Sequence, residues 1–398
     1  MKETKFKQTE VGMIPSDWEV KPIGEICSIT TGSQNTQDND KNGKYPFFVR
    51  SQEVERINKY IYDTEGVVTA GDGVGTGKIF HYVNGKFGLH QRCYLMYEFD
   101  KNISVKYFYW VFSRNFYDRV HSMTAKSSVD SVRREMIAGM QIALPPYDEQ
   151  QKIATALSDI DNLIATTEKL IAKKKALKQG AMQQLLTGKI RLNIQTKEEG
   201  LKTRDCHPGA AGDRIQNSFK MTEIGLIPED WEVKRVGSLM KIGHGRDYKN
   251  LKSGNVPVYG TGGYMTSVND YLYDGETVCI GRKGTIDKPF YHTGKIWTVD
   301  TLFYTYGFNN CEPKFIYYAF CLVDWLGMNE ASGVPSLTSK NIEEVLLRMP
   351  SKPEQTAIAT VLSDMDTEIQ TLETKLAKYR HLKTGMMQQL LTGKIRLI

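Results

Sequence analysis

Near the end of the chain, apolar residues recur with a period tighter than a broad surface stripe requires. Ile358, Leu362, Met365, Ile369, Leu372, Leu376 and Tyr379 follow at intervals of 4, 3, 4, 3, 4 and 3 residues, which is the heptad seam of a coiled-coil helix. The same register occurs earlier, at Ile153, Leu157, Ile160, Ile164, Thr167, Ile171 and Lys174. Two long helices of one pattern in one chain predict an antiparallel coiled coil inside the monomer. Counted from about Gln150 to Leu185, the first helix should rise roughly 50 Å at about 1.5 Å per residue. Ser351 and Glu354 are spaced as a capping box, Asp148 is placed to cap the first helix, and Gly188 and Gly393 stand where helices stop.

Ahead of each helix the pattern changes. Short β-branched and aromatic runs (Phe47 to Arg50, Val67 to Ala70, Lys78 to Val83, Tyr94 to Tyr97) lie between Gly, Asn and Asp turns and predict strands. Val256 to Tyr259, Thr277 to Ile280 and Leu302 to Tyr306 predict their counterparts. Lys106 to Arg119 and Lys314 to Met328 have helical length and spacing. Each stretch is expected to form a mixed α/β globule of roughly 130 residues.

These parallels come from an internal duplication. MQQLLTGKIRL occurs at Met182 to Leu192 and again at Met387 to Leu397. FKQTEVGMIPSDWEVK (Phe6 to Lys21) is matched by FKMTEIGLIPEDWEVK (Phe219 to Lys234), whereas between these landmarks the two copies diverge. A Gly-, Glu- and Lys-bearing stretch, residues 193–218, reads as a linker. The predicted organisation is a first globule over 1–147, a long helix and its TGKIRL tail over 148–192, the linker, a second globule over 219–352, and a second helix and tail over 353–398.

Composition narrows the function little. With 398 residues, 40% hydrophobic, 25% charged and a formal net charge of +6, the chain permits nucleic-acid contact without demanding it. Six scattered cysteines, with no C-x-x-C pair, suggest reduced thiols in the cytoplasm. A polar N-terminus and the lack of any long apolar run argue against secretion or a membrane span.

Candidate enzyme motifs fail on chemistry. LPPY (Leu144 to Tyr147) resembles the loop with which amino-methyltransferases hold a target amine, but Leu144 cannot accept the amine's hydrogen bond. GDGVGTGK (Gly71 to Lys78) lacks the first glycine of a phosphate loop, and Ile79 replaces its Mg²⁺-binding hydroxyl. E-V-K at Glu19 and Glu232 has its nearest acids, Asp17 and Asp230, only two residues upstream, too near to be a second metal-binding carboxylate from an adjacent strand. D-W-E-V-K reads instead as a domain-opening strand packed by Trp18 or Trp231. No histidine spacing or Cys/His cluster suits a metal, so no catalytic or metal-ligating residue is predicted. The run Lys173, Lys174, Lys175 and Lys178 reads as dipole compensation and solubility at the end of the first helix.

Recognition chemistry remains. Arg50, Gln52, Lys78, Gln91, Arg92, Lys126, Arg133 and Arg134 in the first copy, and Arg246, Tyr248, Lys249, Arg282, Lys283 and Lys340 in the second, lie in or beside the divergent loops. Arginine can read guanine, amides can read adenine, and lysine can hold phosphates. A fixed frame holding two different surfaces suits a reader of two different sequences.

The chain resembles the specificity subunits of type I restriction-modification enzymes. The resemblance spans nearly all of it and rests on three duplicated blocks: I-P-x-D-W-E-V-K from Ile14 and Ile227, P-x3-EQ-x2-IA-x2-LSD from Pro145 and Pro350, and QQLLTGKIRL. It implies two target-recognition domains reading a split double-stranded DNA site, separated by helices that act as a ruler. It also implies that Glu149 to Leu186 and Glu354 to Leu391 dock two modification subunits, and that restriction subunits join them. S-adenosylmethionine, ATP and Mg²⁺ would be bound by those partners, with no cofactor in this chain. With the helices antiparallel, the recognition domains would lie near 50 Å apart, somewhat more than one DNA turn of about 34 Å. Two other readings stand beside it: a fused restriction-enzyme part with catalysis in one globule, and a scaffold that binds only proteins through its helices.

Overall fold

The structure, a computed structural model, describes residues 5–73, 75–124, 131–192, 218–329 and 331–398. All but the last residue of the expected linker lies outside them, as does Lys126. Two compact units emerge: residues 1–169 with 374–398, and residues 170–373. Each globule is thus grouped with the first part of its own long helix and the last part of the other.

In the first unit a six-stranded sheet has the order Ser28–Thr31, Cys93–Tyr97, Tyr62–Ala70, Phe80–Leu89, Tyr45–Phe48, Glu55–Ile57. All neighbours are antiparallel except Phe80–Leu89 with Tyr45–Phe48, which are parallel. The second unit repeats that order with Lys241–His244, Leu302–Tyr306, Tyr273–Gly281, Phe290–Thr298, Ser253–Gly260 and Gly263–Val268, and again its single parallel pair joins the fourth and fifth strands. The predicted strands lie within or overlap these, lengthened where glycine turns let a hairpin continue.

The D-W-E-V-K stretches open each globule as strands Glu19–Pro22 and Glu232–Arg235, paired antiparallel with Gln141–Leu144 and Leu346–Met349. Trp18 and Trp231 are fully buried beside them. Burying an indole of this size stabilises by about 2–3 kcal/mol, which explains why both copies keep it.

The copies differ most behind the sheet. The first carries a 20-residue helix, Val105–Thr124; the second has only eight residues, Pro313–Phe320. The expected helix to Met328 stops early because the chain folds back: Trp325 is buried, stacks edge-on against Phe320 and donates its indole N–H to the Phe320 carbonyl at 2.8 Å. The aromatic spacing there reflects a packed turn rather than a continuing helix.

The long helices span Tyr147–Leu185 and Lys352–Leu390, 39 residues each. Along the first, Ile153, Leu157, Ile160, Ile164 and Ile171 are buried. On the second, Ile358, Leu362, Ile369 and Leu376 are buried, with Met365, Leu372 and Tyr379 half-buried. Within the first unit Arg380 pairs with Glu168 at 2.6 Å and Lys383 pairs with Asp161. Within the second, Lys174 pairs with Glu368, Lys175 with Glu373 and Lys178 with Asp366, at 2.5–2.7 Å. In both units the partners run in opposite chain directions, so the helix segments are antiparallel.

Three expectations at the helices are corrected. The lysine run does not end the first helix, which continues to Leu185; Lys174, Lys175 and Lys178 pair with acids of the second helix. Glu354, expected in a capping box with Ser351, gives its carboxylate to Trp231 and Arg191. Asp148 lies inside the first turn rather than at its cap, since the helix begins at Tyr147. Gly188 and Gly393 end the helices as expected, at φ of 71° and 68°, a left-handed conformation that favours glycine.

Candidate nucleic-acid interface

In the first unit, three loops meet at Asp72: the one after Tyr45–Phe48, the one after Tyr62–Ala70, and the one before Cys93–Tyr97. Arg50 donates from Nη1 to one carboxylate oxygen at 2.7 Å, and Arg92 donates from Nη1 to the other at 3.0 Å. Partial burial tends to raise the Asp72 carboxyl, but the hydrogen bonds and charges of the two arginines outweigh it and hold the group below the usual carboxylate range. Beneath them His90 is 2% exposed and accepts the Arg92 backbone N–H at Nδ1. Burial, then the Arg50 and Arg92 charges, lowers its imidazole, so it stays neutral. Gly73 completes the turn at φ 83°, a left-handed conformation that favours glycine.

Other candidates of this copy surround that cluster unevenly. Gln91 is exposed, one residue before Arg92. Arg133 and Arg134 are exposed and follow Val132, whose N–H bonds to the Gly71 carbonyl at 2.8 Å. Gln52 is exposed two residues beyond Arg50. Lys78 lies instead over the Tyr117 ring at 5.2 Å, towards the long helix of the globule.

The register of the second unit makes the copies comparable position by position. Phe48 pairs with Leu89 as Tyr259 pairs with Thr298, and Ala70 pairs with Cys93 as Gly281 pairs with Leu302. Asp72 bridges Ser131 as Lys283 bridges Ser336. Arg50, Asp72 and Arg92 therefore correspond to Thr261, Lys283 and Thr301. The arginine–carboxylate–arginine cluster gives way to a lysine between two threonines.

Around those threonines a cleft of about 620 Å³ is lined by Asp247, Tyr248, Lys249, Tyr264, Asp300 and Thr301 among others. Arg246 and Lys249 are exposed, and half-buried Tyr248 packs against the cluster of Val256, Val258 and Trp297. Arg282 donates to the Asp300 carbonyl at 3.1 Å; Lys283 is exposed beside it, and Lys340 is exposed on the short helix Ser339–Glu344.

A second constellation, which sequence reasoning missed, closes each globule onto a helix tail. Arg396 grips Glu149 from Nε and Nη2 at 2.7 Å each, reaches Asp17 at 2.8 and 3.0 Å, and lies over the Trp18 ring. Arg191 does the same with Glu354, Asp230 and Trp231. The indole N–H groups of Trp18 and Trp231 donate to the same glutamates. The neighbouring Gln150 and Gln355 bind backbone groups of the preceding segments. Repetition of the Arg, Glu, Gln, Asp and Trp in both copies was the available signal, but their distance in sequence hid the partnership.

Among the described residues, no group of three His, Cys, Asp or Glu residues is placed to hold a metal ion, and no helix is long and apolar enough to cross a membrane. Cys27, Cys93, Cys279, Cys311 and Cys321 are free thiols, and burial pushes Cys311 up to about 11.

The profile described as the type I restriction modification DNA specificity domain matches residues 15–175 and 228–378, once per globule. The chain belongs to the type I restriction-modification specificity family. It is a specificity subunit with two recognition domains of mixed α/β fold. The chain is 26% identical over 449 residues to the type I restriction enzyme MjaVIII specificity subunit of Methanocaldococcus jannaschii, covering 99% of this chain and 97% of the relative. It is 24% identical over 416 residues to the EcoDI specificity subunit of Escherichia coli, covering 96% and 90%. The crystal structure of a type I restriction-modification S subunit from M. genitalium has the same fold, with a TM-score of 0.68 at 16% identity over 97% of this chain and 98% of that one.

Proposed function

We propose that the two recognition domains read the two halves of an asymmetric, split double-stranded DNA site, and that the length of the helices sets the unread spacer between them. The observation that carries this reading is the pairing of one strand order with two chemically different loop sets, Arg50–Asp72–Arg92 against Thr261–Lys283–Thr301. Frames of one strand order with unlike surfaces suit unlike half-sites, because base edges are distinguished by donor and acceptor patterns while phosphates are not. The exposed arginines and lysines around both loop sets supply the phosphate contacts.

The helices also dock two modification subunits, over 149–186 and 354–391. Within the second unit Leu170 and Leu177, seven residues apart on the first helix, are 39% and 51% exposed, apolar positions that a partner helix would cover. The chain itself performs no chemistry; S-adenosylmethionine, ATP and Mg²⁺ act in the modification and restriction subunits, in the cytoplasm.

The test is methylome sequencing of a host carrying this chain with its partners. A bipartite motif is expected, and exchanging residues 6–147 for those of another family member should change one half only. Inserting one heptad into the first long helix should lengthen the spacer and leave both halves intact. A change in both halves after the exchange, or an unaltered spacer after the insertion, contradicts the reading.

A further inference from the structure

We infer that Asp72 is a positioning residue for base recognition, fixing Arg50 and Arg92 as a preorganised pair that reads guanine in the first half-site. The inference rests on the reading of the first globule as a DNA reader. Each guanidinium spends a donor of Nη1 on the carboxylate, and among the described residues neither takes another side-chain partner. Each therefore keeps the Nε–Nη2 edge, two parallel N–H donors, which is the fork that matches guanine O6 and N7. Held on one carboxylate, the two forks are close enough to face neighbouring base pairs, roughly 3.4 Å apart along the duplex.

Without Asp72 two adjacent guanidiniums would repel and sample many rotamers, and ordering them on DNA would cost binding free energy. The surroundings support a fixed cluster. Asp72 is anchored through its backbone to Ser131, and Gly73 holds the following turn at φ 83°. The Arg92 backbone N–H is bound by buried His90. Arg50 and Arg92 remain 37% and 58% exposed, so their outer edges are open. The second domain holds Thr261, Lys283 and Thr301 at these places and lacks such a pair, so its half-site is read by other chemistry.

The test uses the complex with its modification subunits, in a host free of competing adenine methylation. The half-site assigned to residues 6–147 by domain exchange should contain G·C pairs at neighbouring positions. D72N should relax preference at those positions on the order of tenfold, with the other half-site unchanged. R50K and R92K, which keep charge but lose the fork, should relax the same positions; a general structural defect would instead weaken all sequences equally. A first half-site without G·C pairs, or a D72N motif identical to that of the wild type, overturns the inference. If D72N does not fold, unchanged preference in both lysine variants overturns it. A domain exchange that alters neither half removes the functional reading itself, whereas an exchange that alters one half while D72N alters none removes only this inference.

Discussion

Arg396 binds both carboxylate oxygens of Glu149 at 2.7 Å across 247 positions of sequence. Glu149 is 4% exposed, so this is a buried pair, satisfied further by the Trp18 indole. R396A leaves the carboxylate buried without its cation and should destabilise the first unit by about 3–5 kcal/mol, roughly 10 °C in thermal midpoint. Asp17, half-exposed, adds little. R396K should recover only part of the loss, because an ammonium cannot replace the fork. A melting curve for R396A superimposable on that of the wild type would rule out the clamp.

Acidity should act on the same clamps. Hydrogen bonds from Arg396 and Arg191 hold the Asp17 and Asp230 carboxyls below the ordinary range. Their folded values lie below the unfolded one of about 3.9, so their contribution is complete above that pH and is lost as pH falls through the folded value. Chemical denaturation between pH 5 and pH 2 should therefore show a shallower acid loss in a D17N/D230N variant than in the wild type. Parallel curves would count against this coupling.

Lys178 ties three groups in the second unit: its ammonium lies 2.5 Å from Asp366 and 5.3 Å from the Tyr318 ring centre, and the Tyr318 hydroxyl donates to the same aspartate at 2.8 Å. K178E sets a carboxylate against Asp366 and should cost about 1–3 kcal/mol, measured by urea unfolding. Adding D366K should restore part of it; failure of that rescue would mean that Lys178 acts through packing alone.

Gly188 and Gly393 are constrained twice. Besides positive φ, an added Cβ would lie 2.5 Å from Pro228 at Gly188 and 2.4 Å from Pro15 at Gly393. G188A and G393A should each destabilise by about 2 kcal/mol or more. Stability equal to wild type in either would show that the tail can re-route.

Much of this was legible because it repeats. The seam isoleucines and leucines, the tryptophan strands and the glycine stops follow from local periodicity and turn chemistry, which sequence displays directly. The Arg396–Glu149 clamp was hidden because its halves lie far apart in sequence and resemble ordinary surface charges. Glu354 had a competing local role as a capping residue, and the tertiary partner won. At the candidate interface the basic residues stood out but Asp72 did not: an acid in a basic surface looks unhelpful until its two arginines are seen. The second aromatic segment misled because buried Trp325 returns to Phe320, a contact that mimics helical spacing.

The clamps also order the protein in time. Arg191 is synthesised before the second globule it closes, so that domain emerges with its arginine already present. The first globule must wait for Arg396, translated 247 residues after Glu149, about 10–50 s at ribosomal rates of roughly 5–20 residues per second. During that interval the Trp18 ring of the nascent first domain lacks the guanidinium that lies over it.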